Sequence, residues 1–562
     1  MATLSVGLEA KTGAAASLDF DALPRTYESA LHLLSLLPTN RDVTSLFEAP
    51  VDNSGKPFDY NSLAIPEVVA WMGRAGYSDL PKDLAPLKCI HIAGTKGKGS
   101  VCAFATAILV EASRAEAGSP AGRVGTYLSP HVVSVRERIW LDGQPISREL
   151  FTKYTFEMWK RLSEGAAAAD PSDPDPYGPH TKPFYFRFLT LLALHVFLRE
   201  GVRSAVIECG IGGEYDATNV LPASSVTATA VTRLGIDHVA MLGRSLEEIA
   251  WHKSGIFKEG VAAFTLQGPP SSSTSSQNGQ DGESAENSAD QSANSGSSAA
   301  DQDAALAVLR ARAVEKKAEA HTLYEVSPQS VQAWEGVPDA ALTGSFQKYN
   351  MALAAAVARC HLREMVSTGS DEQKADINSI LDPATIPSNF REALTKASLR
   401  GRCEVVSSPL QGSQRSIEYL IDGAHTTDSL SKVARFFAKK TAGISPRPRR
   451  TLLFSVRDRN PGELLRAVIA GVGQQGFFHA AYFVFPPDAP LLIEDVRLTM
   501  QEVSPTTPVV ISGSVHDAIG RINALEAADT SHALSGPLHV LAAGSFVLAR
   551  EVLQELEAHF EE

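Results

Sequence analysis

The run LKCIHIAGTKGKGSVCAFATAILVEA, residues 87–112, decides the fold. Residues 87–93 are apolar except for Lys88 and His91 and read as a buried strand, while residues 100–112 place apolar side chains at helical spacing. Between them stands the turn Gly94-Thr95-Lys96-Gly97-Lys98-Gly99-Ser100. Glycines let a backbone wrap closely round phosphate oxygens, and a helix N-terminus turns its positive end toward them. Lys98 can then reach the β- and γ-phosphates, and Ser100 can ligate Mg²⁺. A tight strand-to-helix turn with two solvated lysines is the competing reading, and it accounts less well for strand, lysines, hydroxyl and helix in that order. The usual P-loop puts the hydroxyl residue directly after the lysine; here Gly99 intervenes.

Working outward, the same alternation repeats. Strands are expected at residues 205–209 and 226–234, and helices at 186–199 and 246–257. Past Arg402 come strands at 418–422, 451–456, 481–485, 508–511 and 539–542, with helices from Ser429 and Gly462 and a last helix reaching about Phe560. Repeated strand-helix alternation implies parallel sheets covered by helices. The expected class is α/β: a P-loop ATPase domain with a parallel-rich central sheet over residues 1–395, then a smaller Rossmann-like α/β domain over 396–562. Residues 366–400 read as the linker. Residues 165–179 read as an Ala/Asp/Pro loop.

Composition narrows the class further. A chain of 562 residues, 44% hydrophobic and 20% charged, is built for sizeable soluble cores. Residues 268–303 hold no Val, Ile, Leu, Met or aromatic side chain, so the segment is expected to be a disordered insertion. Its six acids and no base carry close to half of the net charge of −13. An acidic chain is not expected to bind nucleic acid, and local cations must hold any anionic substrate. The most apolar stretch, residues 188–198, falls short of the ~20 residues that span a bilayer, so no membrane partner is expected. Five widely spaced cysteines without a CxxC pair suggest neither a disulfide framework nor a zinc site. Residues 1–24 contain one Lys, no Arg and three acids, unlike a mitochondrial presequence. A cytoplasmic monomer is expected, with a mitochondrial form left open.

Three more features bear on chemistry. Glu208 closes an apolar strand and precedes Cys-Gly-Ile-Gly-Gly. An acid at the carboxyl end of a parallel strand beside a P-loop is where a Mg²⁺-holding carboxylate belongs, although alone it could cap a turn. His238, in Gly235-Ile-Asp-His238, reads equally as a hydrogen-bonding loop residue or a site residue, because imidazole suits Mg²⁺ poorly. Ser245 and Glu248 form a capping box, and the helix they open puts Lys253 on the same face as Leu246, Ile249 and Ala250. A lysine there either snorkels, the commoner outcome, or serves a site.

The order of these motifs resembles the folylpolyglutamate synthases of the Mur ligase superfamily. The resemblance rests on GTKGKGS, Tyr127-Leu-Ser129-Pro-His131, Glu208-Cys-Gly-Ile-Gly-Gly-Glu-Tyr-Asp216-Ala-Thr-Asn219, Gly-Ile-Asp-His238 and Ile-Ala-Trp-His-Lys253. It continues through Gly344-Ser-Phe-Gln347-Lys-Tyr-Asn350, Gly401-Arg402 and Asp422-Gly-Ala-His425. The resemblance implies ATP-dependent addition of L-glutamate to the γ-carboxylate of a reduced folate's glutamyl tail, through an acyl phosphate. Dihydrofolate synthase and a non-catalytic P-loop switch are the rival readings.

By resemblance, Gly94, Thr95, Lys96, Gly97, Lys98, Gly99 and Ser100 cradle ATP. Gln347 and Asn350 lie on its adenine side, and Arg402, Asp422 and His425 close over it from the second domain. Ser100, Ser129, Glu208 and His238 surround Mg²⁺, with two sites and a monovalent cation such as K⁺ in view. Lys98, Lys253 and His238 are the catalytic candidates, and Lys253 matches a carbamylated lysine. Two departures stand out: Leu399-Arg400 precedes Gly401-Arg402 where the family has Trp-Pro, and Thr426 replaces the usual Asn.

Overall fold

The strand read at residues 87–93 is β1 (Lys88–Ala93), and its neighbours come from distant parts of the chain. They are β2 (Arg123–Tyr127), β3 (Ile139–Leu141), β4 (Gln144–Pro145), β5 (Val202–Glu208), β6 (Val226–Val231), β7 (Ala262–Leu266) and β8 (Leu323–Val326). The sheet runs β4-β3-β2-β5-β1-β6-β7-β8; the six strands β2-β5-β1-β6-β7-β8 are mutually parallel, and the β2–β3 and β3–β4 pairs are antiparallel. This computed structural model describes residues 19–39, 63–115, 119–267, 298–327, 347–366, 388–410, 415–446, 448–456, 460–473, 476–486, 489–528 and 537–561.

Because β1 sits between β5 and β6, the turns leaving all three strands open at one edge of the sheet. Ile92 of β1 pairs with Glu208 of β5, and Ala93 with Val231 of β6. That edge is where ligands bind in open parallel sheets. Helix Lys98–Ala115 is buried on nearly every side, so it needs apolar residues all round rather than on one stripe. It packs against helices Gln347–Val366 and Ser388–Lys396 over Ile90, Ile92 and Val206. On another face Leu246, Ile249 and Ala250 meet Ala305, Leu309 and Ala313.

A second sheet follows. It comprises β9 (Glu404–Pro409), β10 (Ser416–Ile421), β11 (Arg449–Phe454), β12 (Ala480–Val484), β13 (Val509–Ser512) and β14 (Leu538–Ala543), ordered β13-β12-β11-β14-β10-β9. Every pair is parallel except the β9 edge. Both sheets belong to one compact unit, residues Ala85–Pro145 with Gly201–Glu562.

The other compact unit joins Ile146–Glu200 to the chain before Leu84. Helices Arg148–Ala169 and Tyr185–Arg199 bury Phe151, Trp159, Phe188 and Phe197 there. The polar residues inside its most apolar stretch find partners: Thr190 Oγ1 donates to the Phe186 carbonyl at 2.9 Å, and the His195 ring has Nδ1 2.5 Å from the Tyr77 hydroxyl and Nε2 3.3 Å from Glu157 Oε1. Burial holds His195 at a pKa of about 4. No helix among the described residues is long and apolar enough to cross a membrane.

Three sequence expectations need correction. Helix Arg148–Ala169 runs into the segment read as a loop, because Ala166 to Ala169 favour helix and the turn begins only at Asp170. Of the expected insertion 268–303, residues 268–297 lie outside the described residues. Ser298, however, N-caps helix Ala299–Glu315 through a capping box with Asp301, so 298–303 are ordered by local polar bonds rather than core burial. The expected linker contains helix Ser388–Lys396, whose Phe390, Ala393 and Leu394 join the core under the first sheet.

Candidate functional site

The turn after β1 is sewn to the exit of β6. Thr95 and Lys96 backbone N–H groups donate to the Arg233 carbonyl at 3.0 and 3.1 Å, and Thr232 Oγ1 donates to the Lys96 carbonyl at 2.9 Å. Thr95 Oγ1 reaches the Gly235 carbonyl at 3.0 Å. Gly97 has φ +92°, and a Cβ there would lie 2.5 Å from Asn350 Oδ1, so this turn position requires glycine. Helix Lys98–Ala115 begins inside the motif and aims its first turn at the cleft.

Gln347 and Asn350 sit against the P-loop. Gln347 Nε2 donates to Ser100 Oγ at 3.3 Å, and Asn350 Nδ2 donates to Gln347 Oε1 at 2.8 Å. Glu208 is buried, with Oε2 accepting the Ser129 backbone N–H at 3.0 Å. Burial raises its pKa, and the charge of Lys98 opposes that rise. A Cβ on Gly99 would lie 3.1 Å from Leu399 Cδ2 and 3.8 Å from Glu208 Oε2, so the residue that breaks the usual P-loop spacing sits between that leucine and this carboxylate.

The two lysines differ in setting. Lys98 lines the cleft and donates to the Gly94 carbonyl at 3.1 Å. Lys253 is only 3% exposed and donates to the same carbonyl at 2.8 Å from beneath. Desolvation first, then the Lys98 charge, pulls the Lys253 pKa down to about 7. His238 lies on an exposed turn at φ +50°, 3.8 Å from Asp237. Partial burial lowers its pKa, Asp237 raises it, and Lys253 and Lys98 lower it further.

From the second sheet, Asp422 follows β10 and is held by its own turn: Oδ2 accepts Cys403 N–H at 2.8 Å and Oδ1 accepts Ala424 N–H at 2.7 Å. Both carboxylate oxygens therefore shape the loops that carry Arg402 and His425. The Arg402 guanidinium lies 4.5 Å from the Phe546 ring centre, and His425 Nδ1 bonds the Gly423 carbonyl at 2.9 Å. Thr426 caps helix Thr427–Lys440, accepting Ser429 N–H at 3.3 Å.

These parts enclose a cleft of about 810 Å³. Of the residues singled out in the sequence, Thr95, Lys96, Gly97, Lys98, Gly99, Ser100, Ser129, Glu208, Gln347, Asn350, Arg402, Asp422 and His425 line it. Gly94, His238 and Lys253 do not. Sequence reasoning missed Arg233, Asp428 and Lys432, which also line it. Asp428 pairs with Lys96 at 3.5 Å and with Lys432 at 3.0 Å, tying the P-loop to the helix after β10. The signal for Asp428 was its place in the first turn of a Thr-capped helix; Arg233 carried none. Six cations, Lys96, Lys98, Arg233, Arg400, Arg402 and Lys432, thus line the cleft beside an equal number of acids, a local supply of positive charge that a polyanionic ligand requires in a chain that is acidic overall.

No family model matches the chain. It is 35% identical over 454 residues to a probable folylpolyglutamate synthase of Schizosaccharomyces pombe, covering 80% of this chain and 75% of that one. It is 36% identical over 442 residues to the folylpolyglutamate synthase of Neurospora crassa, covering 78% and 69%. Among solved structures, the apo form of L. casei FPGS aligns with a TM-score of 0.60 at 20% identity over 95% of this chain and all 100% of that one. Mycobacterium tuberculosis folylpolyglutamate synthase complexed with ADP aligns with a TM-score of 0.57 at 19% identity, covering 93% and 98%. The structural likeness bears on the fold, which is the α/β architecture expected.

Proposed function

This chain belongs to the folylpolyglutamate synthase family, and from that premise we propose how its cleft serves the reaction. The protein is an ATP-dependent ligase that adds L-glutamate through γ-carboxyl amide bonds to a folate's glutamyl tail, releasing ADP and phosphate. In our reading the folate γ-carboxylate attacks the γ-phosphorus of ATP, and ADP leaves. The glutamate amine then attacks the acyl phosphate carbonyl, and the tetrahedral intermediate expels phosphate. Such chemistry asks for charge neutralisation and alignment rather than a protein nucleophile.

Lys98 and the P-loop N–H groups would hold the phosphates, with Lys96 and Arg402 balancing charge as it moves. Gln347 and Asn350, expected on the adenine side, would instead support the nucleotide from behind the phosphate loop, since they abut Ser100 and Gly97. Asp422 would act by fixing the turn that bears Arg402 and His425. The residues up to 395 would bind nucleotide, and 396–562 would close over it as a lid.

The donor set fits Mg²⁺. Ser100 and Glu208 offer hard oxygen ligands at the P-loop, and Glu208 is a buried carboxylate whose ionised form a bound cation would favour. Among the described residues no three His, Cys, Asp or Glu side chains gather as a metal cluster. That is compatible with Mg²⁺, which uses one or two carboxylates and keeps phosphate oxygens and water as its other ligands. Bound there, Mg²⁺ would neutralise the β- and γ-phosphates. Ser129 and His238 complete the proposed set, with a second Mg²⁺ or K⁺ beside a carbamate on Lys253. We further take the enzyme to be a cytoplasmic monomer, consistent with five cysteines buried as thiols.

The observation that carries this reading is the convergence of Lys98, Glu208 and Arg402, from three separate segments, on one cleft. The test is glutamate-dependent phosphate release with tetrahydrofolate monoglutamate, with dihydropteroate and with no acceptor. Release with the first is expected. Release with dihydropteroate alone would favour a dihydrofolate synthase, and none with either a nucleotide switch.

A further inference from the structure

Helix Leu246–Lys253 is only eight residues long, too short to fix its own axis, yet it must hold the Lys253 amine on the Gly94 carbonyl. Its C-terminal end is interlocked with the turn after β5. The Glu214 backbone N–H donates to the His252 carbonyl at 2.7 Å. A Cβ on Gly213 would lie 2.6 Å from the Lys253 carbonyl oxygen, and one on Gly255 would lie 2.3 Å from Glu214 Cα. Asn219 Nδ2 bridges the carbonyls of Glu214 and Gly255 at 3.0 and 3.2 Å. Turn and helix end therefore move as one body.

That body is gripped from outside by helix Ala299–Glu315. Arg312, 4% exposed, pairs with Glu214 and with Glu315, the latter at 2.6 Å. Its guanidinium also lies 4.6 Å from the ring centre of Trp251, two residues before Lys253. Lys316 takes the second Glu214 oxygen at 2.8 Å. The apolar contacts of Ala305, Leu309 and Ala313 already pack the two helices together. A buried guanidinium is an expensive way to add stability, and geometry is what a planar fork with a stacked face supplies.

We propose that Arg312 is a positioning residue for the ligase reaction: by holding Glu214 and Trp251 together it keeps Lys253 on the P-loop. This rests on the reading of Lys253 as a catalytic residue. Arg312 touches neither the cleft nor the P-loop and acts only through the helix end.

The test is a cycle of wild type, Arg312→Ala, Lys253→Ala and the double variant, each verified as folded by circular dichroism. Single-turnover incorporation of radiolabelled glutamate gives the rates, and calorimetric titration with ADP gives nucleotide affinity. Arg312→Ala is expected to lower the rate about tenfold while the ADP Kd changes less than about twofold; in the Lys253→Ala background the same change should cost less than about twofold. Arg312→Lys, which keeps the charge on Glu214 but loses fork and stacking, should recover part of the loss. If Arg312→Ala does not fold, Arg312→Lys and Trp251→Leu make the same comparison. An unchanged rate, or equal losses in both backgrounds, overturns the inference alone. Full turnover in Lys253→Ala overturns the Lys253 reading and the inference with it.

Discussion

Lys98 and Lys253 share one acceptor: their Nζ atoms lie 3.1 and 2.8 Å from the carbonyl oxygen of Gly94. Lys98 comes from the helix that follows the P-loop, and Lys253 from a helix some 150 residues further along the chain. Two ammonium groups on one oxygen repel each other, and the more buried one carries the consequence. Its pKa falls to about 7, with burial the larger cause and the Lys98 charge the next. The pair thus separates a cleft-facing cation from a buried amine that is readily neutral.

Lys98→Ala should abolish most activity without unfolding the protein. Removing a cation that faces the transferring phosphoryl group costs several kcal/mol of transition-state stabilisation, about a hundredfold or more in rate. The same change removes a repelling charge beside Lys253, so the melting temperature should not fall. Glutamate-dependent phosphate release and calorimetric melting read the two effects, and near wild-type turnover would end the assignment.

Glu208→Gln should divide function from stability. The amide oxygen can still accept the Ser129 N–H, and a buried group whose charged form is disfavoured loses nothing by becoming neutral. Turnover at saturating Mg²⁺ should drop about a hundredfold or more while the protein melts at or above the wild-type temperature. A variant as active as wild type would remove Glu208 from the metal site; a strongly destabilised one would make it a structural carboxylate.

Much of the fold was legible because its strands are short apolar runs buried on both faces. The strands expected at 87–93, 418–422, 451–456 and 539–542 are β1, β10, β11 and β14 within two or three residues at each end. Other strands were not legible: β4, β8 and β9 are edge strands with exposed positions or polar residues, β3 is only three residues long, and the interior strands β2 and β7 are five-residue runs that do not stand out from the helices and turns beside them. Site residues that stand at strand ends could be read, since Glu208 and Asp422 each follow an apolar run. Arg233 and Arg312 could not, because their partners Tyr349 and Glu214 lie far along the chain, and Lys432 could not, because an i,i+4 pair with Asp428 is what an ordinary solvated helix face also shows.

Gly97→Ala probes the cradle itself. At φ +92° any side chain is strained, and the new methyl would meet Asn350 Oδ1 at 2.5 Å. The substitution should cost about 1–3 kcal/mol in chemical denaturation and weaken ATP binding. Adding Asn350→Ala should return part of the stability by relieving the clash, while the backbone strain persists. If Gly97→Ala binds ATP as wild type does, the loop does not wrap the phosphates.

Lys253 should carry a carbamate. Carbon dioxide reacts only with a neutral amine, and the buried Lys253 pKa of about 7 provides one near neutrality. The sign of the pH dependence follows from that depressed value. The folded protein loses the Lys253 proton as pH rises through about 7, whereas the unfolded chain keeps it to the ordinary value of 10.5. The cost of burying the charge is therefore fully present below about pH 7 and is relieved progressively as pH climbs toward 10.5, so this group makes stability rise with pH across that window. Carbamate formation follows the same direction, and its anion would spare Gly94 a second cation and offer oxygens to a metal. Enzyme stripped of CO₂ under mildly acidic conditions should lose activity and regain it when bicarbonate is restored at neutral pH. With ¹³C-bicarbonate, the Mg²⁺-loaded enzyme should give a carbamate carbon signal that vanishes in Lys253→Ala. Activity indifferent to CO₂, with no such signal, would show that Lys253 works as a plain ammonium bonded to the P-loop.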